Sequence, residues 1–113
     1  MDILIIFLIY FSMKRPFSPF KKEVYERNSE IYKLMSNPKR LEILNILKCS
    51  PATLSELTKI VGVSKANISQ HLAVLRYLRL VASYKKSKEA YYQITNPRIV
   101  EPCRIFRDIW SKR

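Results

Sequence analysis

The chain has 113 residues, with 21 Lys and Arg against nine Asp and Glu, a formal net charge of +12, one glycine, one histidine and two cysteines. That is one domain with a modest core, for which a partner subunit would help, and its charge asks for a polyanion. One glycine leaves no phosphate-cradling loop of the Walker or dinucleotide type, and one histidine leaves little for acid/base or metal catalysis, so no enzyme is expected.

At the amino end, residues 3–11 (ILIIFLIYF) are unbroken apolar. Crossing a bilayer as a helix takes about 20 such residues, so the run is too short. Asp2 precedes it where a signal peptide would carry positive charge. The readings left open are a segment packing on a dimer, an apolar disordered tail, a true start at Met13, and membrane contact by residues 1–13. Residues 14–22 (KRPFSPFKK), with two prolines, read as a basic linker.

Val24, Asn28, Ile31 and Met35 share one helical face with Leu34 beside them, predicting a helix over about 23–35. Asn37 and Pro38 supply a cap and a first-turn proline for a second helix over about 38–48. Its Leu41, Ile43, Leu44, Ile46 and Leu47 place it at the centre of the core. Ser50-Pro51 stops it.

Thr53 and Glu56 form a capping box. Leu54, Leu57, Ile60 and Val61 are the expected buried stripe of the helix that follows, and Gly62 supplies the positive φ of a sharp helix–helix turn. Ser64 caps the next helix, which turns Ile68, Leu72 and Leu75 inward with Leu78 nearby, and Ala66, Ser69, Gln70, Ala73 and Tyr77 outward. The period then changes: Val81–Tyr84 and Ala90–Ile94 read as strands around a Lys85–Glu89 tip. After Asn96-Pro97, Ile99, Cys103, Phe106 and Trp110 repeat at i, i+4, i+7 and i+11 in a final helix with Pro102 in its first turn. That helix has more apolar surface than so small a domain buries, which points to a dimer face.

Between Glu56 and Glu89 there is no acidic residue, while Lys59, Lys65, Arg76, Arg79, Lys85, Lys86 and Lys88 are all positive. A helix-turn-helix followed by a cationic hairpin is a device for gripping duplex DNA. The expected fold is therefore mainly α with a small β-hairpin wing: about five helices plus the apolar amino-terminal segment. Residues 1–22 form the tail and linker, and 23–113 the DNA-binding and dimerisation domain.

The element order, together with Asn37-Pro38-Lys39-Arg40-Leu41, Leu54-Ser55-Glu56-Leu57, Val63-Ser64, Ser69-Gln70-His71-Leu72, Leu75 and Tyr91-Tyr92-Gln93-Ile94, resembles the ArsR/SmtB family of winged-helix repressors over about 25–111. The resemblance implies a homodimeric regulator whose interface is built from the 23–35 helix and the final helix. Two glycines usual in the family are replaced, one by Arg79 before the wing and one at the wing tip by Lys86-Ser87-Lys88. The family's metal sites are also replaced. Thr53 and Ser55 stand where one site has cysteines, and Asn96, Arg98, Ile109 and Lys112 stand where the other has its ligands. Some relatives sense oxidants through cysteines in the corresponding helices, and Cys49 and Cys103 fall roughly there; Cys103 is equally a small apolar residue on its stripe.

The expected DNA-binding residues are Thr53, Ser64, Lys65, Asn67, Ser69, Gln70, His71, Arg76, Tyr77, Lys85, Lys86 and Lys88. Gln70 suits bidentate reading of adenine, the two helix starts suit phosphates, and His71 reads as structural or phosphate-contacting. The expected dimer interface is Ile31, Met35, Ile99, Cys103, Phe106 and Trp110. No metal, cofactor or small-molecule ligand is implied, and unpaired cysteines suit a reducing cytoplasm. A reading from a different class is a winged-helix module for protein or acidic membrane surfaces, tethered by its apolar amino terminus.

Overall fold

A computed structural model of the chain describes residues 2–13 and 16–111. In chain order these form α1 (Ile3–Met13), α2 (Lys22–Met35), α3 (Pro38–Cys49), β1 (Ala52–Thr53), α4 (Leu54–Val61), α5 (Lys65–Tyr77), β2 (Val81–Lys86), β3 (Glu89–Ile94), a 3-10 turn at Pro97–Val100 and α6 (Glu101–Ser111). The apolar amino-terminal segment is thus helical. Its side chains from Ile3 to Phe11 are all exposed, and among the described residues no helix is long and apolar enough to cross a membrane. The described part of the expected linker, Pro16–Lys21, is irregular, as its prolines dictate. Lys14 and Arg15 lie outside the described residues.

The helices start where their caps place them. Asn37 Oδ1 accepts from the amides of Lys39 at 2.9 Å and Arg40 at 3.3 Å, with Pro38 opening α3. The core closes around that helix: Ile43, Leu44 and Leu47 are buried with Leu57 of α4, Ile68, Leu72 and Leu75 of α5, Ala52, Val81 and Val100. Each fully buried Leu or Ile contributes about 1.5–3 kcal/mol, so the leucines and isoleucines of α3, α4 and α5 supply the larger part of this core's burial energy.

Ile60 does not join this core; it is 59% exposed. In α4 the inward stripe is Leu54, Leu57 and Val61, and Ile60 lies about 100° around the helix from Val61.

The hairpin is longer and its tip tighter than the alternation suggests. Lys86 pairs with Glu89 across a two-residue loop, Ser87-Lys88, with φ of 52° and 69°. Positive φ at both loop residues is the type I′ arrangement, which matches the twist of paired strands. The hairpin also gains a third strand: Ala52 and Thr53 pair with Tyr92 and Tyr91, giving the order β1-β3-β2. Two residues carry too little alternation to announce a strand. Tyr84 and Tyr91, opposite one another in β2 and β3, stack with ring centroids 5.7 Å apart.

Candidate nucleic-acid interface

Two caps and one glycine build the helix-turn-helix. Thr53 Oγ1 accepts from the Glu56 amide at 3.1 Å, and Glu56 Oε1 accepts from the Thr53 amide at 3.0 Å. The bond from the Thr53 amide, with the Thr53 hydroxyl beside it, holds the Glu56 carboxyl below its usual pKa. The same bonds occupy Thr53, so its amide is already satisfied within the chain. Gly62 then sits at φ 80°, ψ 33° and donates to the Thr58 carbonyl at 2.9 Å. An added Cβ at Gly62 would meet nothing within 4 Å, so glycine is there for its backbone freedom and not for space. Ser64 Oγ accepts from the Asn67 amide at 3.1 Å and opens α5.

Three apolar residues anchor α5, and its opposite side is bare. Ile68, Leu72 and Leu75 are buried, whereas Ser64, Lys65, Ala66, Ser69, Gln70, Ala73, Arg76 and Tyr77 are exposed, Tyr77 at 81%. Small and hydrogen-bonding groups on an open helix face are what close approach to a groove needs. Asn67 departs from expectation. It is half-buried, and its Oδ1 is buried with no hydrogen-bond partner, because 67 shares the half-buried edge of α5 with His71, Val74 and Leu78. His71 is half-buried with its Nδ1 accepting from Arg40 Nε at 3.2 Å, in line with the structural one of its two readings. The ring is thereby committed to a partner inside the chain. Arg40 entered the sequence reading only as part of a motif; no local signal announces a contact 31 positions away.

At the carboxyl end of α5, Arg79 adopts φ 60°. Its amide donates to the Arg76 carbonyl and the Leu80 amide to the Leu75 carbonyl, both at 2.9 Å. This is a Schellman termination with arginine in the place that glycine usually takes. It turns the chain into the wing, where Lys85, Lys86 and Lys88 are all exposed.

The stripe expected in the final helix divides. Ile99 and Cys103 are half-buried against the protein's own core, as is Met35 of α2, while Ile31 is half-buried without joining it. Phe106 and Trp110 stand free at 58% and 67% exposure, flanked by Ile105 and Ile109, which the i+4/i+7 stripe passed over. Val24, Tyr25 and Tyr32 of α2 are exposed as well. Between α2 and the start of α6 runs a groove of about 250 Å³ lined by Asn28, Ile31, Tyr32, Met35, Ile99 and Pro102.

Neither cysteine is in a disulfide, Cys49 exposed and Cys103 half-buried. Asn45 touches both: its Nδ2 lies 3.5 Å from Cys103 Sγ, and its carbonyl accepts from Cys49 Sγ at 3.6 Å. Among the described residues no three His, Cys, Asp or Glu side chains gather as a metal site would require; Lys112 lies outside them.

An anchored α5 with an open polar face, entered from a glycine turn and followed by a cationic hairpin, defines a winged helix-turn-helix protein. The sequence pattern of the bacterial regulatory protein arsR family matches residues 37–83. The chain is 43% identical over 72 residues to the HTH-type transcriptional regulator YgaV of Escherichia coli, covering 63% of this chain and 73% of that one. It is 32% identical over 72 residues to the arsenical resistance operon repressor of Staphylococcus xylosus, covering 64% and 69%. The crystal structure of NolR from Sinorhizobium fredii superposes with a TM-score of 0.71 at 31% identity, covering 85% and 96%. The chain belongs to the arsR family and is a DNA-binding transcriptional regulator.

Proposed function

We propose that two copies of this chain bind duplex DNA sequence-specifically as a homodimeric repressor, and that no metal operates the switch through the family's usual sites. α5 enters the major groove, with Ser69 and Gln70 reading base edges and Ser64, Lys65, Arg76 and Tyr77 on or near phosphates. Lys85, Lys86 and Lys88 of the wing lie along the flanking backbone. The observation that carries this reading is the division of α5 into a buried apolar side and an exposed side of small, polar and basic residues.

Dimerisation is supported by the exposed Ile105, Phe106, Ile109 and Trp110 at the end of α6 and by the neighbouring apolar residues of α2. A symmetric pair reads two half-sites about 10 base pairs apart or a multiple of that. Repression follows the S. xylosus relative, which is named a repressor. Residues 23–113 form the DNA-binding and dimerisation domain, acting in the cytoplasm.

The exposed apolar α1 favours a second reading, attachment of this domain to an anionic membrane surface. Fluorescence anisotropy with mixed-sequence duplex, on the full chain and on one beginning at Met13, separates the two. Tight binding by both, weakening with salt at a log-log slope near −7 for about eight phosphates, supports the regulator. Binding only to phosphatidylserine vesicles, lost on trimming, supports attachment. In the regulator, Ala at Lys85, Lys86 and Lys88 flattens the slope by about 0.9 for each phosphate contact removed. An unchanged slope argues against the wing contact.

A further inference from the structure

Arg40 ties three helices together. Its own amide is held at the start of α3 by Asn37 Oδ1. Its guanidinium reaches back to α2, where Nη1 donates to the Leu34 carbonyl at 2.6 Å, and across to α5, where Nε donates to His71 Nδ1 at 3.2 Å. Leu34 lies in the last turn of α2, next to Met35; His71 follows Gln70 on α5.

A guanidinium has donors only and stays charged. His71 Nδ1 must therefore be the lone-pair nitrogen, and the ring is the neutral tautomer with its proton on Nε2. The charged groups acting on the imidazole are Arg40 and Lys39, both from α3 and both cationic; with burial as the larger cause, they hold its pKa below the ordinary 6.5. Protonation would turn the acceptor into a donor facing Arg40 and set a third positive charge beside two.

We infer that Arg40 is a positioning residue for the DNA-reading helix, clamping His71 of α5 to the carboxyl end of α2, and that His71 serves DNA binding as a neutral acceptor and not as a cation on a phosphate. The inference rests on the DNA-binding reading of α5. Its consequence is mechanical: the helix bearing Ile31 and Met35 and the helix bearing Gln70 share one planar, two-directional donor. An ammonium on a flexible stem has no equivalent fork.

The chain's one histidine makes the test unambiguous. Nitrogen-15 imidazole spectra of the full chain should show the Nε2–H tautomer alone near neutral pH, with one titration below 6.5. Arg40→Met should mix the tautomers and move that titration up. Anisotropy with a 30-base-pair mixed-sequence duplex at low salt is then compared at pH 7.5 and 5.5. Between these values wild type should lose severalfold more affinity than His71→Asn, whose Oδ1 replaces Nδ1 but does not titrate. At pH 7.5 His71→Asn should recover most of what His71→Leu loses.

Affinity that rises in acid, or an imidazole pKa that DNA raises, would make His71 a phosphate-binding cation and overturn the inference. So would both tautomers in the wild-type spectrum, or His71→Asn binding no better than His71→Leu. A folded chain that binds no duplex sinks the DNA reading and the inference together; the tautomer spectrum separates that failure from absence of the clamp.

Discussion

The hydroxyl of Thr95 donates to the carbonyl of Arg79 at 2.9 Å, joining the end of the wing to the left-handed residue at its entry. The Thr95 amide also donates to the Leu80 carbonyl at 3.0 Å. These bonds hold Arg79 in a backbone region that disfavours a Cβ by about 1–2 kcal/mol. Arg79→Gly should relieve that strain and, after the greater entropy of glycine in the unfolded chain, stabilise the protein by about 0.5–1 kcal/mol. Thermal unfolding checks it: a Tm no higher than wild type contradicts the strain argument.

Thr53→Ala removes the oxygen that accepts from Glu56 and should destabilise by about 1 kcal/mol, as cap losses generally do. The Glu56 carboxyl has a depressed folded pKa, so its ionised bonds contribute stability above the ordinary 4.5 and lose it as pH falls through the folded value. Denaturant titrations of wild type and Glu56→Gln should therefore differ at pH 7 and converge in acid; a constant gap shows that the charge has no part in the cap.

Gln70→Ala should cost about 1–3 kcal/mol on the preferred sequence and little on random duplex, because a base-edge contact specifies where a phosphate contact only holds. Competition between selected and scrambled duplexes measures this. Equal losses on both would move Gln70 from the bases to the backbone.

Phe106→Ser with Trp110→Ser leaves the core untouched, since both side chains are exposed. The double variant should keep its helical circular dichroism, sediment as a monomer and bind the full operator at least a hundredfold more weakly, once the advantage of joined half-sites is lost. A folded double variant that remains dimeric rejects α6 as the interface.

The helix-turn-helix was legible because its signals are local. Caps at Asn37, Thr53 and Ser64, the turn at Gly62 and the stripe Ile68, Leu72 and Leu75 all act within one or two helical turns, and all lie where the sequence put them. What escaped depends on distance or direction. β1 is two residues long and exists through its pairing with Tyr91 and Tyr92. Arg40 meets His71 only once α3 and α5 pack. Periodicity gave Ile60 to the core and missed Ile105 and Ile109, because an apolar stripe does not say which neighbour lies over each of its edges. Arg79 stands where a glycine is usual and is left-handed there; the positive φ values of Ser87 and Lys88 follow from the two-residue loop that Lys86 and Glu89 close.

Thr53 stands at a junction: it opens α4 and is also paired into the sheet opposite Tyr91. The hairpin is therefore tied to the scaffold along β3, at its base, while β2 is the open edge of the sheet. If α5 and the wing grip one duplex together, bending of the double helix accommodates part of any misfit, so that flexible base steps which no side chain touches become part of what is selected.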